Sequence, residues 1–107
     1  MRISQKLLTG SSIDDFDPDG LRNDLIMNRI PDKYYCLVYS GSTIEIYSWR
    51  MLHYNPRVLR EEDCVVGVAA SRSEAYDLVL EVMDQIYALE RYENLAQFME
   101  AQLGVKQ

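Results

Sequence analysis

The stretch Cys64-Val65-Val66-Gly67-Val68-Ala69, followed by Ala70-Ser71-Arg72-Ser73-Glu74, decides the fold. Its first six residues are apolar without alternation, the pattern of a strand covered on both faces. Ser71-Arg72-Ser73-Glu74 then fits a capping box, in which the serine hydroxyl and the glutamate carboxylate each satisfy a free backbone N–H at the start of a helix. A buried strand feeding straight into a helix is therefore predicted, and everything upstream must pack on that unit.

Downstream, apolar residues recur at Ala75, Leu78, Val82, Leu89, Ala96, Met99 and Leu103, and Gln85 and Tyr92 complete a seven-residue repeat. Val79, Leu80, Met83, Ile86 and Tyr87 widen the stripe, so the helix needs two surfaces to bury it. Asn94 followed by Gln97 suits the cap of a second helix over 95–103, while the repeat also tolerates one continuous helix. Gly104 ends it in either case. The surplus apolar surface predicts an oligomer interface at Leu89, Tyr92, Met99 and Leu103, and hence a homodimer.

Upstream, residues 34–49 (YYCLVYSGSTIEIYSW) are aromatic and β-branched, and Gly41-Ser42 suits a two-residue type II′ hairpin turn. That turn opposes Tyr39 to Ile44, Leu37 to Ile46, Cys36 to Tyr47 and Tyr34 to Trp49. One face carries Tyr35, Leu37, Tyr39, Ile44 and Ile46 and belongs on the core. The other carries Tyr34, Cys36, Val38, Glu45, Tyr47 and Trp49, too apolar for an ordinary solvated face. Tyr34, Tyr47 and Trp49, with Arg50 nearby, are accordingly the expected partner-binding residues, because aromatic and arginine side chains dominate interface energetics. The competing expectation is that a helix of the same chain covers them. Residues 50–63 form a mixed, locally basic connection with a turn at Asn55-Pro56.

Nearer the start, Asp17 is a good N-cap and Pro18 fits the first helical position, so a short amphipathic helix is predicted over 18–29, stopped by Pro31. Residues 1–13 are expected to be a flexible N-terminal segment, with 14–107 a single α+β domain: a small three-stranded antiparallel sheet packed by a long C-terminal helix, in the order α-β-β-β-α. That order over roughly 18–90 resembles the topology of the double-stranded-RNA-binding domain. The basic cluster that opens the last helix of that family is replaced here by Ser71-Arg72-Ser73-Glu74-Ala75.

The chain has 107 residues, 48% hydrophobic and 26% charged, with a net charge of -6. An acidic chain lacks the lysines and arginines that neutralise phosphates, which argues against direct nucleic-acid binding and against anionic membrane surfaces. It fits a partner with a basic surface. The two cysteines, Cys36 and Cys64, are too few for a disulfide framework and sit in apolar runs, as buried free thiols do. The N-terminus lacks the apolar core of a signal peptide and no run is long enough to span a membrane, so a cytoplasmic location is expected.

Asp15, Asp17 and Asp19, followed by Gly20, resemble the first half of an EF-hand loop, but the twelfth position is Ile26 where a bidentate Glu is needed. Cys36, His53, Cys64 and a carboxylate from Glu61, Glu62 or Asp63 lack finger-like spacing. No phosphate loop or nucleophile elbow is present, and no cofactor is expected. The chain thus predicts a small acidic protein–protein interaction module, an accessory, regulatory or inhibitory protein without catalysis. One version blocks a basic nucleic-acid-binding surface of its partner. The alternative is a metal-binding or thiol-dependent small enzyme.

Overall fold

β4, Cys64–Ala69, is buried along its whole length and holds an inner position in the sheet. The structure, a computed structural model, describes residues 2–13 and 18–105. On one side β4 pairs antiparallel with β2, Tyr35–Tyr39, which in turn pairs antiparallel with β3, Ile44–Ser48. On the other side it pairs in parallel with β1, Arg2–Thr9. The sheet is therefore four-stranded and mixed, β1-β4-β2-β3, rather than three-stranded and antiparallel. The extra strand comes from the segment expected to be flexible. Ile3 pairs with Val65 and Leu8 with Gly67, so five steps along β1 match two along β4. Such a bulge destroys the two-residue alternation by which a strand is recognised.

The hairpin forms in the expected register, Tyr39 opposite Ile44 and Cys36 opposite Tyr47. Gly41 has φ 98°, the positive value that a type II′ turn needs at its first central position. Ser40 N–H donates to the Thr43 carbonyl at 3.0 Å to close the turn.

Helices cover both faces. Leu37, Tyr39 and Val66 pack against Ala75, Leu78, Val82 and Ile86. These belong to α3, Arg72–Met83, and to a wider-turned extension, Asp84–Ala88. On the opposite face, Cys36, Val38, Val65 and Val68 pack against Leu25 of α1, Pro18–Ile26, and against Trp49 and Leu52 of α2, Trp49–Tyr54. α2 replaces part of the expected irregular connection. Ser48 starts it, its hydroxyl accepting the Met51 N–H at 3.1 Å. With the sheet covered on both sides, the radius of gyration is 13.0 Å, as compact chains of this size have.

α1 stops sooner than 29. Asn28 turns left-handed (φ 55°), Arg29 N–H donates to Asp24 O at 2.7 Å and Asn28 N–H to Leu25 O at 3.1 Å. This pair of bonds satisfies the last carbonyls without further helix. Asp17, its expected cap, lies outside the described residues.

The C-terminal pattern resolves into two helices. Glu90 has φ 53°, and Asn94 Oδ1 accepts the Gln97 N–H at 2.8 Å to start α4, Leu95–Phe98, which runs on through Met99–Leu103. Gly104 ends it at φ 70°. Because the chain breaks after Leu89, Met99 and Leu103 fold back into the protein's own core.

Candidate interaction surface

Of the four residues expected to bind a partner on the sheet face, Tyr34, Tyr47 and Trp49 pack into one core cluster and only Arg50 lies outside it. Trp49 is only 3% exposed. Its indole N–H donates to Asn28 Oδ1 at 2.9 Å, and Asn28 Nδ2 lies 3.1 Å from His53 Nε2. Because the indole can only donate, the Asn28 oxygen must face it and the amide NH2 must face His53. Nε2 then accepts, and the imidazole proton sits on Nδ1. Trp49 and His53 stack at 6.4 Å and 24°. These contacts pin α2 to the end of α1, a structural task that takes Trp49 out of reach of any partner. Tyr34 is half-buried, and its carbonyl accepts the Trp49 N–H at 2.8 Å. Tyr47 is half-buried too; its hydroxyl donates to Glu45 Oε2 at 2.6 Å, which together with burial raises its pKa. Arg50 alone is exposed.

The expected oligomer interface is also largely internal. Met99 and Leu103 are buried, and half-buried Tyr92 meets Phe98 edge-on at 5.2 Å. Leu89 stays outside, 55% exposed.

An open apolar surface lies along α3 and its extension Asp84–Ala88. Tyr76, Leu80 and Tyr87 are 51%, 62% and 73% exposed. Their spacing puts them on one side of the helix, opposite Ala75, Leu78, Val82 and Ile86. Exposed Asp77, Glu81 and Asp84 run along the flank of that stripe. Arg72 lies over the Tyr76 ring at 5.9 Å. Beside the acidic flank, Thr9, Gly10 and Ser11 border a recess of about 170 Å³ with Glu74, Asp77 and Glu81. The signal for this surface was the excess width of the apolar stripe, and Leu80 and Tyr87 were among the residues that widened it.

Glu74 joins this flank to the N-terminal strand. Its N–H donates to Ser71 Oγ at 3.2 Å, the expected half of the capping box. Its carboxylate does not reach back to Ser71 but accepts the Ser12 N–H at 3.1 Å. Hydrogen bonds from Ser12 lower its pKa below the ordinary 4.5. A carboxylate with a depressed folded pKa contributes stability above its unfolded pKa and loses it as pH falls through the folded value. Glu74→Gln should therefore be less stable than the parent at neutral pH. The gap should narrow as pH falls below about 4.5 and close once pH is below the lowered folded value. Urea unfolding at neutral and at acid pH measures it; a gap that is the same at both excludes the Ser12 contact as its source.

The other chemistry-bearing groups are dispersed. Asp15 and Asp17 lie outside the described residues, as does the side chain of Asp19. Among the described residues, no group of three or more His, Cys, Asp or Glu side chains is placed to hold a metal ion. Burial pushes the Cys36 thiol up to about 12, so it is not a thiolate at neutral pH. Burial also raises Cys64, against a smaller opposing pull from Arg2 and Arg22. Cys64 Sγ donates to Val65 O at 3.7 Å rather than to His53. Among the described residues, no helix is long and apolar enough to cross a membrane.

The geometry defines an α+β chain with an amphipathic outer helix face. Compared with protein-family models, with curated proteins and with solved structures, it matches none.

Proposed function

We infer that the chain is a small acidic protein–protein interaction module, regulatory or inhibitory rather than catalytic, that docks the outer face of α3 onto a protein with a basic surface. The observation that carries this reading is the stripe Tyr76-Leu80-Tyr87 flanked by Asp77, Glu81 and Asp84. The aromatic and aliphatic side chains supply area to remove from water. The carboxylates select the sign of the partner and speed its encounter. A basic amphipathic segment satisfies both requirements, apolar side chains on the stripe and Lys or Arg along the flank. A second copy satisfies only the first, since two chains of net charge -6 repel. A partner segment of this composition is typical of nucleic-acid-binding surfaces, so occupying one would block it. The buried, protonated Cys36 thiol gives no support to a thiol enzyme.

Titration with two amphipathic peptides that share an apolar face, one lysine-rich and one glutamate-rich, tests this. The basic peptide should bind and weaken as salt rises from about 50 to about 300 mM, as flanking charges become screened. Leu80→Asp and Tyr87→Asp should each weaken it by about tenfold or more. Both side chains are exposed, so unfolding should not confuse the result. Equal binding of the two peptides, indifference to the Asp substitutions, or a dimer by light scattering that competes with the peptide would each overturn the reading.

A further inference from the structure

The geometry points to a binding site for a small oxyanion, a phosphate or carboxylate group, in the cavity where the bulged start of β1 meets α1 and the C-terminal turn. The cavity is about 330 Å³ and is lined by Arg2, Ser4, Arg22, Cys64 and Gly104 among others. That volume lies at the small end of the range for small-molecule sites. Among the described residues that line it none is acidic, although the chain as a whole carries a net charge of -6.

The two guanidinium groups are short of partners. Among the described residues, neither Arg2 nor Arg22 forms an ion pair. Half-buried Arg22 has a buried Nε with no hydrogen-bond partner, and its Nη2 reaches only Ile3 O, at 3.5 Å. Arg2 uses Nη1 on Glu62 O at 3.1 Å and keeps its remaining donors. A partly desolvated cation without a counter-charge is costly, and that cost is recovered when an anion enters. A guanidinium offers parallel N–H donors that match the oxygens of carboxylate and phosphate. Arg2, Arg22 and Cys64 all line the cavity, so both guanidinium groups border the same space. Ser4, only 4% exposed, adds a hydroxyl whose present bond, to Leu103 O, is a long 3.4 Å.

The β1 bulge explains why such a site exists here. Between Ile3 and Leu8 the strand leaves its register with β4, and Ser4 and Gln5 turn into the cavity wall. Bulges commonly re-aim side chains in this way beside binding sites.

The test is an NMR titration of the full chain with inorganic phosphate, with glycerol phosphate and with succinate, each against chloride at matched ionic strength. Phosphate or carboxylate should give saturable shifts at the Arg22 Nε–H and at the amides of Ile3, Ser4 and Gly104. Comparing the arms shows which oxyanion is preferred. Arg22→Gln should weaken binding by about tenfold or more, as expected for a lost charge-assisted hydrogen bond. Arg2→Gln, at an exposed position, should also weaken it and guards against misfolding of the first variant. Arg91→Gln removes the same charge outside this cavity and should change nothing. Shifts that chloride reproduces, that never saturate, or that Arg91→Gln reduces as much as Arg22→Gln would overturn the site.

Discussion

Trp49→Ala should lower the free energy of unfolding by about 3–5 kcal/mol, the range for deleting a large buried aromatic side chain. A domain of this size is stable by only about 5–15 kcal/mol, so the loss would leave a large fraction of molecules vulnerable to unfolding. Two effects add. The indole is 3% exposed and packs in the core with Leu25 of α1 and Leu52 of its own helix against the sheet, so its removal leaves a cavity. It also removes the indole N–H that Asn28 Oδ1 accepts at 2.9 Å. Trp49→Phe separates them: it keeps most of the packing and should cost about 0.5–1.5 kcal/mol, the net worth of a hydrogen bond, because Asn28 is exposed and its oxygen can turn to water. Urea unfolding followed by tyrosine fluorescence or circular dichroism measures both variants. An alanine variant that loses less than about 1 kcal/mol would place Trp49 on a surface rather than in a core. That result would return it to the role its aromatic neighbourhood suggests from sequence.

The hairpin and the Ser71 cap were legible because each is a local signal. Gly41-Ser42 sets the register of its two strands through one turn, and Ser71 needs only the N–H three residues on. The break near Asn94 was legible as one of two alternatives, because heptad spacing and the Asn94–Gln97 cap point in opposite directions and only packing decides. β1 was not legible. Its partner lies about sixty residues away in sequence, and its bulge removes the alternation that marks a strand. α2 was hidden for a different reason. Trp49 continues the apolar run of β3, and Ser48 ends the strand by capping a helix that carries no long periodic pattern. The same omission made the sheet face look barer than it is: Trp49 reads as a strand residue on that face, whereas it begins α2 and with Leu52 covers the face beside Leu25 of α1. The width of the stripe along α3 and its extension instead leaves Tyr76, Leu80 and Tyr87 facing outward.

Gly67→Val should be as damaging as the loss of Trp49, and it acts on the strand that sequence concealed. Gly67 lies in the middle of β4, between β1 and β2, opposite Leu8 on one side and Leu37 on the other. A Cβ there would meet Leu8 Cβ and the Leu8 carbonyl oxygen at 3.2 Å and Leu37 Cβ at 3.4 Å. Alanine would press these neighbours by a few tenths of an ångström and should cost about 1–3 kcal/mol, the usual range for overpacking. Valine adds two methyl groups to a space already filled by a single carbon. The Leu8 contact includes backbone, which cannot rotate away, so β1 must move. We expect a loss above about 3 kcal/mol together with faster amide exchange at Leu8 and Thr9, whose residues pair with Gly67 and Val68. The two readouts discriminate. Lost stability with unchanged exchange along β1 would mean that the strain is taken up by β2 instead. If exchange rises at Leu8 but the Arg22 Nε–H still responds to phosphate, the oxyanion cavity does not depend on the register of β1. Because Arg2 and Ser4 reach that cavity only through this strand, both the exchange protection and the phosphate response should fall together.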